Sequence, residues 1–338
     1  MTRQTRMQLI REIENEMDSR LVVYITGDRQ GQETRIAGDI FHFCHQHLQM
    51  IGEQESISLF LYTRGGLTMA GFGIANLFRE FCKSFSVIIP FRAHSCGTLI
   101  TLGANKIIMT KMGQLSPIDP SIDHPLGPQA QIPGAPPGIT QRVPINVEDA
   151  VTFLEFAKKE GGLAKEESLA SVFGRLSSEV NPLALGAVSR AREQIGFLAR
   201  TLLSRYMADQ ERIDNVVRTL TQERFSHDYI IGRREAKESL QLPIVDVPLK
   251  LEELVLKLFD EYSNLLELNV PYNPEIYLGQ NNAISFSLNR GILESYDFTH
   301  AYQSRLQVQR LQITRESIPQ TIHNTTRLSE GWIQDNTL

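Results

Sequence analysis

An α/β fold built on a parallel sheet is what this sequence predicts, and three observations carry that prediction. Short β-branched and aromatic runs alternate with amphipathic helical patterns from residue 21 to residue 110. Such alternation favours βαβ units, because a parallel strand pair needs a crossover long enough to hold a helix. A glycine pair, Gly65-Gly66, follows the second run, and Ser95 follows the third, just ahead of Gly97-Thr98 and another helical pattern. With 338 residues, 41% hydrophobic and 22% charged, the chain can bury a sizeable core and is too long for one typical domain.

The elements read as follows. Leu21 to Thr26, closed by Gly27-Asp28, has the composition of a buried strand. Asp39 to Ile51 places Ile40, Phe43, Cys44, His47 and Leu48 on one helical face before Gly52 ends it. Ser56 to Tyr62 is the next strand, Met69 to Phe81 a helix, and Ser86 to Pro90 a third strand. Leu99 to Asn105 is helical and Lys106 to Thr110 is a fourth strand. Right-handed crossovers would join them. Residues 117 to 144 break the pattern with eight prolines and three glycines. A long aperiodic segment in a compact domain is usually a functional loop, here expected to be mobile and to gate a groove.

Helical patterns resume at Val147 to Lys159 and at Leu183 to Met207, the latter with Leu185, Val188, Ile195, Leu198 and Leu202 spaced for burial. A short strand at 229–231 precedes a helix at 233–240. Beyond Val247 the character changes, with an amphipathic helix at 249–268 and then a Gln, Asn and Thr-rich stretch with an alternating run at 283–288. The expected division is one domain over residues 1–246 and a C-terminal α+β extension over 247–338. The extension, with the apolar faces of the Leu183 and Leu249 helices, is where oligomer or partner contacts are expected.

A net charge of −5 without a Lys/Arg cluster argues against nucleic acid. Cys44, Cys82 and Cys96 are odd in number and scattered, which fits a reducing, cytoplasmic setting. The N-terminus lacks the apolar core of a secretory signal, and no apolar run approaches the roughly 18 residues of a membrane span. His42, His45 and His47 share a helix, but no carboxylate or third-ligand spacing accompanies them, so no metal is expected. No Gly-x-Gly-x-x-Gly follows the first strand, and no nucleotide cofactor is implied.

The stretch Leu59 to Phe78, with Arg64-Gly65-Gly66 at its centre, resembles the Gly-Gly segment of Clp-fold serine proteases, the superfamily of the Clp protease proteolytic subunit and signal peptide peptidase A. Ser95, 29 residues beyond Gly66, then matches their nucleophile. Ala93-His-Ser-Cys-Gly-Thr-Leu99, Gln114 to Pro120 and Ser226 to Ala236 are similar to the serine dehydrogenase proteinase branch. The motifs and their flanks span about residues 20 to 245, roughly two thirds of the chain. The resemblance implies a Clp/crotonase-like fold of repeated ββα units, a peptide or protein substrate, no cofactor and a homo-oligomer.

The chemistry supports the match on its own terms. A tetrahedral oxyanion needs two preorganised donors, for which the N–H groups of Gly66 and Cys96 are the candidates, and glycine at 65 and 66 leaves room for a substrate backbone. Ser95 stands where a helix N-cap would also stand, and the two roles are compatible. Cys96 reads as a small packed residue. A serine needs a base. Where the Clp proteolytic subunit has its histidine, this chain has Asp119, so one arrangement makes His227 the base and Asp119 its orienting group. His124, 29 residues after Ser95, is a rival base, and a Ser-Lys dyad through Lys158 or Lys159 is a third arrangement. His94 adjoins Ser95 but should face the other way. Two functions stay open at this level: a serine peptidase acting through a Ser95 acyl-enzyme, and a catalytically weak or inactive Clp-fold protein that binds peptide in the same groove. A crotonase-like acyl-CoA enzyme would use the paired donors without a serine, and the intact Ser95 motif weighs against it.

Overall fold

The computed structural model describes residues 3–118, 121–122, 124–132, 138–143, 145–163, 165–221, 229–315 and 318–338. The chain divides into two compact units, Met1–Leu115 with Ile231–Leu338, and Ser116–Ile230. The first opens with α1 (Arg3–Met17), β1 (Arg20–Thr26), α2 (Ile40–Ile51), β2 (Gln54–Tyr62) and α3 (Thr68–Glu80). It continues with β3 (Cys82–Ile89), β4 (Arg92–Ala93), α4 (Cys96–Leu102), β5 (Lys106–Met109) and β6 (Gln114–Leu115). The second holds β7 (Ser121–Ile122), β8 (Gln129–Gln131), β9 (Thr140–Arg142) and β10 (Ile145–Asn146), then α5 (Val147–Lys159), α6 (Glu166–Glu179), α7 (Pro182–Leu203) and α8 (Gln210–Thr221). The chain then returns to the first unit with β11 (Ile231–Gly232), α9 (Arg233–Glu238), α10 (Leu249–Leu265), α11 (Pro274–Leu278), β12 (Ala283–Glu294), β13 (Thr299–Arg315) and β14 (Ile318–Gln334).

A seven-stranded mixed sheet in the order β14-β13-β12-β1-β2-β3-β5 is the frame of the first unit. The four strands read from the sequence, β1, β2, β3 and β5, run parallel side by side. Their near-continuous apolar runs are those of strands covered on both faces. Because side chains alternate between the faces, Leu21, Val23, Ile25, Phe60 and Tyr62 share one side with Ile10 and Ile13 of α1 and Leu254, Val255, Leu258 and Tyr262 of α10. On the other side, Leu61 and Thr63 approach Gly97 of α4.

The boundary expected at 246/247 does not separate compact units. β12 pairs antiparallel with β1, from Val23↔Glu294 to Thr26↔Gly291, so the C-terminal segment completes the sheet that carries the glycine pair. α10 likewise turns much of its apolar face inward, with Leu251, Leu254, Val255, Leu258 and Tyr262 buried, while Leu249 at its start is exposed. One carboxylate fastens these pieces. Glu294, fully buried, accepts from Arg6 Nε at 2.8 Å and Nη2 at 3.1 Å, from Tyr262 Oη at 2.5 Å and from Thr299 Oγ1 at 2.5 Å.

The second unit is where the single-loop expectation for 117–144 differs from the structure. Two antiparallel strand pairs, β8 with β9 and β7 with β10, lie in and beside that segment. Strands of two and three residues are too short to leave a periodic signature. α7 buries Val188, Ile195, Leu198 and Leu202 as their spacing predicts, while Leu185 is half-buried and Leu183 is exposed. No helix among the described residues is long and apolar enough to cross a membrane.

Candidate active site

Three chain segments converge past the C-terminal end of β2. The regular ladder with β1 ends at Tyr62, and from there Thr63 pairs with Ala93 of β4 and Gly66 with Ile36, both in parallel bridges. Thr63 N–H donates to Arg92 O at 2.9 Å, and His94 N–H donates to Thr63 O at 3.1 Å. On the opposite edge, Ile36 N–H donates to Gly65 O at 2.9 Å and Leu67 N–H donates to Ile36 O at 2.8 Å. A parallel bridge is made by the peptide groups flanking the bridged residue, so the N–H of Gly66 itself is turned away from Ile36. The buried Thr63 hydroxyl holds the bend from inside, accepting from Gly65 N–H at 2.9 Å and from the Thr26 hydroxyl at 2.7 Å.

Both glycines are required sterically. Gly65 has φ +120° and Gly66 φ +156°, a region that side chains with a Cβ rarely enter. A Cβ on Gly65 would stand 2.8 Å from Ser95 Cβ and 3.2 Å from Ser95 Oγ, and one on Gly66 would stand 2.1 Å from Ile36 O. The missing side chain at 65 is therefore the space that Ser95 occupies.

Ser95 lies between β4 and α4 with φ +50° and ψ −112°, a positive φ that is uncommon outside glycine. Its hydroxyl makes no cap to α4, so the N-cap alternative gives way to a sharp strand-to-helix turn that aims the side chain at Gly65. Such backbone costs on the order of 1–3 kcal/mol and persists only where surrounding structure enforces it. The enforcing bonds are Gly97 N–H to His94 O at 2.8 Å, Leu99 N–H to Ser95 O at 3.1 Å and the Thr98 hydroxyl to Ala93 O at 2.8 Å. Gly97 admits the close approach, since a Cβ there would stand 2.5 Å from Thr63 Cγ2.

Cys96 is a packed residue, as its place beside Ser95 predicts. Its thiol is buried, donates to Leu67 O at 3.2 Å and is pushed up to about 12 by burial. A thiol so protonated is not a nucleophile near neutral pH. The contact ties the first turn of α4 to the residue after the glycine pair.

The structure thus brings together Ser95, Gly65, Gly66 and Cys96. Asp119 and His227 lie outside the described residues. His124 lies in the second unit, where its Nδ1 accepts from Leu126 N–H at 3.2 Å, and Lys158 and Lys159 are exposed on α5, Lys159 bound to Glu155 at 2.9 Å. The α2 histidines face different partners. His47 is buried, with Nδ1 2.8 Å from Ser295 Oγ and Nε2 3.0 Å from His300 Nδ1, while His42 bonds Gln46 and His45 stacks edge-on to Phe81. Ile36 and Thr63, which are not among the residues the sequence singles out, carry the outer bridge and the inner hydroxyl of the bend. A β-branched residue ahead of Gly-Gly was the only local hint of Thr63, and Ile36 left none.

Residues 1–137 match the family described as ClpP-like SDH-type serine proteinase, a stretch that contains Gly65, Gly66, Ser95 and Cys96. Two uncharacterized proteins of Methanocaldococcus jannaschii are similar along most of their length. One is 27% identical over 258 residues, 74% of this chain and 75% of its own. The other is 26% identical over 242 residues, 69% and 71%. A solved structure of a membrane-bound stomatin-specific protease aligns at 14% identity and a TM-score of 0.35, covering 69% of this chain and 83% of its own.

Proposed function

We propose that this chain is a serine peptidase. Ser95 Oγ attacks a peptide carbonyl while a base takes its proton; the same base returns that proton to the departing amine, and water then releases the acyl group from Ser95. The observation that carries this reading is the Ser95 backbone, held at φ +50° with its side chain against a glycine whose Cβ would exclude it.

The oxyanion would sit between the N–H of Gly66, turned away from the Ile36 bridge, and that of Cys96, which opens α4 and has no intrahelical acceptor. Losing one such donor typically costs about 3–4 kcal/mol of transition-state stabilisation. We assign the base to His227 with Asp119 orienting it. The test is a fluorophosphonate probe on the full chain. Wild type should label and Ser95→Ala should not; a folded wild type that stays unlabelled would leave a peptide-binding protein without peptidase activity.

A further inference from the structure

We infer that Asp28 is a positioning residue for the Ser95 site, acting through Arg64 and Arg92; this rests on the peptidase reading above. Asp28 follows β1 by two residues, and its side chain is only 5% exposed. One oxygen, Oδ1, accepts from the Tyr62 hydroxyl at 2.7 Å. The other, Oδ2, accepts from Arg64 Nε at 3.1 Å and from Arg92 Nη1 at 2.6 Å. Arg64 immediately precedes Gly65, and Arg92 precedes Ser95 by three residues. A single carboxylate therefore grips both strands whose ends carry the glycine pair and the serine.

The grip falls where the sheet stops helping. The ladder between β1 and β2 ends at Tyr62, and β4 is two residues long. Beyond that, the backbone link between the Gly65 and Ser95 segments is the Thr63↔Ala93 bridge, with Thr63 N–H donating to Arg92 O and His94 N–H to Thr63 O. β1, from whose end Asp28 projects, is paired on both edges, with β2 and β12. Charge-assisted bonds to a nearly buried carboxylate are short and directional, which suits them to fixing one segment against another. The guanidinium of Arg64 is 61% exposed, so its bond contributes little to global stability while still orienting the peptide ahead of Gly65.

The experiment measures fluorophosphonate labelling of the full chain, separating the maximal labelling rate from the probe's half-saturation, alongside thermal midpoints. Asp28→Asn should lower the maximal rate about tenfold to a hundredfold with half-saturation unchanged, the signature of displaced reacting groups rather than lost binding. Arg64→Gln with Arg92→Gln should do the same, and adding Asp28→Asn to that pair should slow labelling no further. An Asp28→Asn protein labelling at the wild-type rate, or a triple variant showing the product of the separate losses, overturns the proposal while leaving the peptidase reading intact. Should Asp28→Asn fail to fold, Arg64→Gln alone decides, with slower labelling at an unchanged midpoint expected and unchanged labelling refuting. An unlabelled wild type removes the peptidase reading and this inference with it.

Discussion

Gly65→Ala isolates the steric claim on which the site stands. The new Cβ would lie 2.8 Å from Ser95 Cβ, and ordinary contact begins near 3.4 Å, so Ser95 must retreat by about 0.6 Å or the loop must open by that much. Gly65 also sits at φ +120°, where an L-residue is strained by on the order of 1–3 kcal/mol. At roughly 2–4 °C per kcal/mol for a domain of this size, the thermal midpoint should fall by several degrees and the protein should remain folded. Misplacing a nucleophile by around an ångström costs on the order of a hundredfold in rate, so labelling by a fluorophosphonate should drop by tenfold to a hundredfold. Gly66→Ala presses on the Ile36 backbone instead and should cost more stability, because a carbonyl 2.1 Å away cannot rotate aside as a side chain can. Labelling of Gly65→Ala within twofold of wild type would refute the packing of Ser95 against this position.

Three further outcomes concern a buried histidine, a buried carboxylate and the base. His47 is held down to about 3 by burial and then by His300, so it stays neutral in the fold while the unfolded ring takes a proton at its ordinary 6.5. The stability this represents is complete above about pH 6.5 and is lost as pH falls toward about 3, at about 1.4 kcal/mol per pH unit; denaturant melts at stepped pH should show that slope, and its persistence in His47→Gln would place its origin elsewhere. Glu294→Gln should destabilise the first unit by about 3–5 kcal/mol, because it leaves the Arg6 charge buried without its carboxylate, and a denaturation midpoint matching wild type would count against the network. Among base candidates, His227→Ala should abolish labelling by a peptidyl phosphonate while His124→Ala and Lys158→Ala retain it; full activity in His227→Ala would eliminate the proposed base.

Local pattern was enough to read the parallel half of the sheet and the helices between its strands. β1, β2, β3 and β5 are short apolar runs covered on both faces, and α5 announces itself by period over the very residues it occupies. The 17-residue strand β14 is illegible for the opposite reason. Much of β14 is exposed on both faces, with Gln, Thr and Asn where an alternating strand would place apolar residues, so no period of two is written into it. Nor does any local rule say that β12 pairs with β1, which is why the C-terminal segment read as a separate extension.

At the site, the amino-acid sequence alone names the participants: a glycine pair, a serine ahead of Gly97-Thr98 and a cysteine beside it, within the stretch that matches a proteinase family. That Gly65 is the hollow Ser95 fills, that the Cys96 thiol is buried against Leu67 O, and that Ile36, Thr63 and Asp28 hold the segments together comes from the folded chain. The physical reason is that these are contacts between residues 29 to 64 positions apart, whose distances are set by sheet pairing and close packing and leave no trace in the composition or period of either segment alone.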